Sequence, residues 1–399
     1  MFNPDQNRLA PTLAMIMAAS LVGFITGYTV PLISLELAQQ QIAPLYVGLL
    51  AALPPAGMMI SSFLSPALCR RVEMGVLLSG SLILLALATI ASCMTTDMTL
   101  LLLPRLLTGL ASGVIIVLGE SWITGGAAGS QRATLTGLYA SAFTGCQLAG
   151  PLLISVGPAW QTSALIAIVA VTAVCLLMLR HLPTGTRESL GERASWRSLG
   201  AFLPVLASGV FCFAFFDASI LALLPLYGMD KGLNEGLAVL LVTVVLTGDA
   251  MFQTPLGWLA DRVGIRRVHL SCAVVFSLSL LALPLMLGSR IQLMAICLLL
   301  GAAAGALYTL SLVRAGKTFN GQKLIRISAL FVFFWSAGSV AGPVVSGMLI
   351  GITGYDGLIV TLVASGVLFL LIQCLCKNEK TLLASEQEDD MDEATESAR

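Results

Sequence analysis

Long apolar stretches, separated by short polar breaks, run through the whole chain. A bilayer core of about 30 Å needs about 20 apolar residues in a helix to cross it. Twelve stretches meet that length, near residues 12–35, 43–66, 74–95, 99–124, 133–156, 160–181, 199–226, 236–258, 267–287, 291–314, 325–350 and 355–376. None shows the ~10-residue alternation of a barrel strand. A backbone facing lipid must satisfy its own hydrogen bonds, so the stretches read as helices. The pattern predicts an all-α polytopic membrane protein. The first stretch follows a polar lead (Asn3, Asp5, Gln6, Asn7, Arg8) with no small-residue cleavage site, so it is expected to be a retained span.

The polar breaks carry the orientation signal. Of 21 Lys and Arg, 18 fall in every second loop or near a terminus; the exceptions are Arg105, Lys231 and Arg290. Basic loops stay on the cytoplasmic side, so both termini are expected in the cytoplasm of a cell with the protein in its inner membrane. Residues 182–198 form the longest interior polar linker. They divide the chain into an N-terminal half, 1–181, and a C-terminal half, 199–376. The tail, 377–399, is rich in Asp and Glu and is expected to be disordered and cytoplasmic.

Composition narrows the function classes. Of 399 residues, 57% are hydrophobic and 11% charged, against roughly 25% charged in soluble domains. The net charge is zero, so nothing points to nucleic acid. No phosphate-binding loop is present, and the two histidines, His181 and His269, sit beside polar segments, too few for a convincing zinc site. No cofactor, no metal and no enzyme activity are expected. Nine scattered cysteines, including Cys374 and Cys376, read as apolar filling.

The halves repeat at an offset of 192 residues. Gly109 and Gly113 fall on Gly301 and Gly305. Gly150-Pro151 falls on Gly342-Pro343, and the segment after span 2 falls on the segment after span 8. Such duplication builds transporters with a substrate site between the halves, near the bilayer midplane.

After span 8 stands Gly257-Trp258-Leu259-Ala260-Asp261-Arg262-Val263-Gly264-Ile265-Arg266-Arg267. This resembles the signature cytoplasmic loop of the major facilitator superfamily, G-x-L-A-D-R-x-G-x-R-[RK]. With twelve spans, a central linker and the repeat, the resemblance covers the full length. It implies two six-helix pseudo-symmetric halves and a gating role for Gly257, Asp261, Arg262, Gly264, Arg266 and Arg267. The other reading of the loop is a basic patch that only sets topology. The first-half copy is degraded, with Cys69 in the Asp position and Val72 in that of the second Gly. Leu101-x-x-x-Arg105-x-x-x-Gly109 resembles the superfamily's span-4 motif, which implies proton coupling at Arg105; a structural arginine on backbone carbonyls is the alternative. Gly119-Glu120-Ser121 and Gln253-x-Pro255-x-Gly257 resemble the YcaD-like branch.

Acids inside spans are few: Glu36, Glu120, Asp217 and Asp249. Intramembrane acids are costly and by default functional. Asp249, Gln253, Gly257 and Asp261 recur every four residues, one helix face leading from the midplane toward the loop. Asp217 lies among Phe211, Phe213, Phe215 and Phe216. Asp217, Asp249, Arg105, Glu120 and Gln253 are therefore the candidates for proton coupling or substrate binding. Core packing is the alternative for Asp217, and pairing with Arg70 or Arg71 for Glu120. Tyr28, Gln147, Tyr308 and Trp335 are further cavity candidates. Glu36 reads as a hydrated end, and Arg314 as a side chain snorkelling to the interface. The expected function is alternating-access transport of a small organic molecule, with protons and the lipid bilayer as the other partners and a monomer as the working unit. Proton-coupled export leads, with uptake symport as the alternative and a transporter-shaped sensor behind both.

Overall fold

The computed structural model describes residues 6–126, 130–157, 161–180, 203–318 and 321–375. The 182–198 linker and the 377–399 tail lie outside the described residues. Among the described residues, twelve α-helices follow one another: α1 (Gln6–Gln39), α2 (Pro44–Arg71), α3 (Met74–Cys93), α4 (Met98–Gly126), α5 (Ser130–Val156), α6 (Gln161–Leu179), α7 (Leu203–Asp230), α8 (Glu235–Val263), α9 (Ile265–Ala282), α10 (Arg290–Thr318), α11 (Gly321–Thr353) and α12 (Asp356–Leu375). A short 3-10 turn, Leu283–Met286, follows α9. Every predicted span has its helix. Eleven carry an apolar window long enough to span a membrane, and the apolar part described in α5 is Ser141–Val156.

Local chemistry explains the ends. Asn234 Oδ1 accepts the Leu237 amide at 2.8 Å and caps α8. Asp97 does the same for Thr99 and Leu100 at the start of α4. Gly264, at φ +105°, breaks α8 from α9 in a conformation that favours glycine. Inside the helices, hydroxyls such as Thr89 and Ser92 donate to the carbonyl four residues back. Their polarity is satisfied without water. Large apolar side chains remain on the outside, among them Val76, Leu103, Ile166 and Val360, the surface a lipid-facing bundle requires.

Packing repeats with the sequence. Any side chain at Gly109 would strike Pro54 of α2, and at Gly301 would strike Val245 of α8. In the same way Gly150 of α5 lies against Gly27 of α1, while Gly342 of α11 lies against Phe215 and Ser219 of α7. Ser219 stands 192 positions after Gly27. Small residues let these helices cross at backbone distance, where dispersion between apolar helices is strongest.

The halves meet through α2 with α11 and α5 with α8, and through α1 and α2 with α7. The closest approaches cluster at the end that carries the α1–α2 and α7–α8 turns. There Gly48 lies on Pro343, Gly347 on Pro44, and Gly236 on Ser155. One apolar cluster runs across that end, from Ile33, Leu37 and Leu50 to Phe216, Leu223 and Tyr227. Among the described residues, the halves pack closely at the turn end and make no comparable contact between α4 or α5 and α10 or α11 at the end holding the α8–α9 loop.

Candidate functional site

Asp217 sits midway along α7 and Asp249 midway along α8. Both are buried, at 7% and 6% exposure. Gln147 Nε2 of α5 donates to Asp217 Oδ2 at 3.4 Å, a hydrogen bond between the two halves at mid-depth. Gln147 reaches this position because its own backbone lies directly on Gly27 of α1. Gln253 Nε2 donates to Asp249 Oδ1 at 2.9 Å, one helical turn along α8. Asp249 has room because α10 presents Gly305 to it; any side chain there would occupy the place of the carboxylate. The two aspartates lie within electrostatic range of each other.

Glu120 comes from the first half and is exposed, in the half of α4 nearer the α4–α5 connection. It lies within electrostatic range of Tyr139 on α5 and of Tyr308 on α10, and Tyr308 is also within that range of Asp249. Asp217, Asp249 and Gln253 thus lie together at mid-depth, and Glu120 shares with Asp249 only its electrostatic range to Tyr308. The side chain of Arg70, one proposed partner of Glu120, lies outside the description.

Arg105 is placed elsewhere. It is buried on α4, with Nη1 donating to Thr29 Oγ1 of α1 at 2.9 Å and Nε donating to the Leu50 carbonyl of α2 at 3.4 Å. These partners belong to the first half, so Arg105 ties three helices of one half together. That geometry matches the alternative of a structural arginine, since a buried guanidinium needs its N–H groups satisfied.

The loop motif divides in the same way. Arg262 lies over the Trp258 ring at 4.0 Å. Arg266 Nη2 donates to the Gln373 carbonyl of α12 at 3.3 Å. Asp261 and Arg267 are exposed. Gly264 makes the turn, but a side chain at Gly257 would meet nothing within 4 Å, so no close helix approach requires glycine there.

Two polar residues differ from expectation. Arg314 does not snorkel: it is 4% exposed and its Nη1 donates to Gln373 Oε1 at 3.3 Å. Gln373 Nε2 in turn donates to the Val205 carbonyl of α7 at 2.7 Å. His269 is buried rather than interfacial, with Nε2 3.0 Å from the Leu307 carbonyl and its ring 4.8 Å from Phe369. Gln373 belongs to no sequence motif; its one signal is a lone amide in an otherwise apolar helix. Glu36 lies at the turn end, half-buried. With Glu235, Gln39 and Tyr28 it lines a cavity of about 460 Å³ at that end, where Gln39 Nε2 lies 3.5 Å from Glu235 Oε2.

Comparison with known proteins agrees with this architecture. Residues 15–247 and 206–388 match the sequence profile described as the Major Facilitator Superfamily. An uncharacterised MFS-type transporter of Yersinia pestis (strain Pestoides F) is 22% identical over 378 residues, covering 92% of this chain and 95% of its own. The uncharacterised MFS-type transporter YcaD of Shigella flexneri is also 22% identical, over 92% of this chain and 96% of its own. Among solved structures, a D-xylose–proton symporter superposes with a TM-score of 0.75 at 16% identity, covering 93% of this chain and 98% of its own.

Proposed function

This chain belongs to the Major Facilitator Superfamily of membrane transporters, and from that premise we propose that it moves a small organic molecule across the bacterial inner membrane by alternating access, coupled to protons. The observation that carries the reading is the Gln147–Asp217 hydrogen bond, a buried carboxylate held between the halves at mid-depth. The positive-inside bias supports a cytoplasmic position for the end holding the α8–α9 loop, and with the close packing at the turn end it supports reading this state as open inward.

The mechanism follows from the electrostatics of closing the cleft. An ionised carboxylate resists losing its water to an apolar surrounding. A proton on Asp217 or Asp249 removes that obstacle and lets the halves rock shut, so proton occupancy biases the two states. Gln147 and Gln253 hold the two carboxylates in place, and Glu120 stands on the way to the open side. The Gly257–Arg267 loop, with Asp261 and Arg262 at its exposed tip, is the latch of the inward side in the opposite state. Arg105, whatever its role in relatives, acts here by bracing the first half.

Export is the proposed direction. Purified protein is screened by thermal shift against D-xylose, uridine, tetraphenylphosphonium and siderophore-like chelators, and the compound that stabilises it is assayed in vesicles under an imposed pH gradient. Proton-driven flux should fall in D217N, in D249N and most in the double variant. Unchanged coupling in all three overturns the assignment. Proton-coupled accumulation rather than extrusion would make the protein an uptake symporter with the same site.

A further inference from the structure

The cleft carries a second feature beside its carboxylates. Three rings from three helices of the second half pack into one wall: Phe213 of α7, Tyr308 of α10 and Trp335 of α11. Phe213 and Tyr308 stack with centroids 5.4 Å apart, and Trp335 meets them edge-on at 5.9 and 5.4 Å. Phe213 is buried behind the other two, while Tyr308 and Trp335 keep part of their surface exposed. Phe213 and Asp217 are one helical turn apart on α7, so the wall and the first carboxylate share a face. Tyr308 lies within electrostatic range of Asp249. The ring cluster thus lies beside Asp217 along α7 and within electrostatic range of Asp249.

The positive charges of the membrane interior are engaged elsewhere. Arg105 is bound to Thr29 and Leu50, and Arg314 to Gln373. Among the described residues, the side chains bonded to Asp217 and Asp249 are the neutral amides of Gln147 and Gln253. Two carboxylates held by neutral amides, beside an aromatic wall, are complementary to one kind of guest. We propose that the substrate is an organic cation, whose apolar body lies on Tyr308 and Trp335 and whose charge is received by Asp217 and Asp249.

The proposal deepens the transporter reading and rests on it for the location of the site. It also supplies the coupling: the guest's charge and a proton compete for the same carboxylates, so arrival of one releases the other. Ring faces attract cations more strongly when water is excluded, and a hydrogen-bonded carboxylate adds a charge-assisted contact.

The test uses the full chain in detergent and two probes of one shape and opposite charge, tetraphenylphosphonium and tetraphenylborate, with D-xylose and uridine as neutral probes. Titration calorimetry should show saturable binding of the phosphonium and none of the borate. Asp217→Asn with Asp249→Asn should weaken phosphonium binding about tenfold or more. Trp335→Ala and Tyr308→Ala should each weaken it roughly fivefold, and Tyr308→Phe should bind as wild type. Should the aspartate variants fail to fold, the ring variants carry the test alone. Equal binding of both ions, no binding of the phosphonium, or phosphonium binding unmoved by the ring variants each overturns the proposal. Binding and proton-driven flux of a neutral probe overturns it as well while leaving the transporter reading intact. Phosphonium binding with no flux of any probe under a pH gradient upholds the site and overturns the transporter reading.

Discussion

The two halves of the bundle are built alike and equipped differently. Gly109 of α4, packed against α2, is answered by Gly301 of α10 against α8, and Gly150 of α5 against α1 by Gly342 of α11 against α7. At the same 192-residue offset, Asp217 faces Ile25, Asp249 faces Gly57, Arg105 faces Cys297 and Gln147 faces Ser339. Close helix crossing is a demand of shape, and it recurs wherever the crossing recurs. A buried charge is a cost in every copy, so it persists only in the copy where it has a task. The first half spends its buried charge on a clamp, Arg105 across α1 and α2. The second half holds its two aspartates against the cleft, and borrows Gln147 from the first to hold one of them.

Four experiments can break or sharpen that contrast. The largest effect belongs to the shared part. Gly109→Leu and Gly301→Leu each force a side chain into a neighbouring backbone, beyond the about 1–3 kcal/mol of ordinary overpacking. Both should abolish recovery of folded protein by size-exclusion chromatography, and a tolerated change in only one half would break the symmetry. Next come the unequal positions. Asp217→Asn should lower proton-driven flux on the order of tenfold, whereas Ile25→Leu, at its twin position, should leave it within about twofold. Equal losses at both sites would show that flux reports packing rather than charge.

Third, Thr29→Val removes an acceptor from the buried Arg105 and should cost about 1–3 kcal/mol in thermal unfolding, with the pH dependence of flux unaltered. A shifted pH profile with unchanged stability would move Arg105 from bracing to coupling. The smallest effect lies at the turn end. Lys231 Nζ is 2.8 Å from Asp356 Oδ1 and 3.5 Å from Asp230 Oδ2, and the bond to Asp356 holds the lysine pKa above its usual value. A raised pKa contributes stability that is present at neutral pH and lost as pH climbs through the folded value. Lys231→Met should therefore destabilise slightly at neutral pH, by less than about 1 kcal/mol, with the difference from wild type vanishing in strong alkali and at high salt.

Much of the fold was legible in the sequence. A helix that crosses lipid writes its length into an uninterrupted apolar run, and all twelve stretches became helices, although α1 begins at Gln6 rather than near residue 12. The repeat was readable because glycine at a tight crossing has no substitute. The candidate acids were readable because an acid in an apolar helix stands out from its neighbours. Arg105 stood out equally well, yet its task was not legible: its partners, Thr29 and Leu50, lie 76 and 55 residues away. Arg314 and His269 were misjudged for the same reason, because Gln373 and Leu307 enclose them from distant helices.

By itself, then, the order of residues determined the spans, their duplication, the family and the short list of buried charges, since each is a property of one segment and its solvent. Only the tertiary structure decided which of those charges meet. It drew Asp217 to Gln147, set Asp249 against Gly305, and turned Arg105 inward to α1 and α2. Those outcomes depend on how helices far apart in the chain are rotated and offset against one another. That arrangement is set by side-chain packing across the whole bundle, which no single stretch encodes.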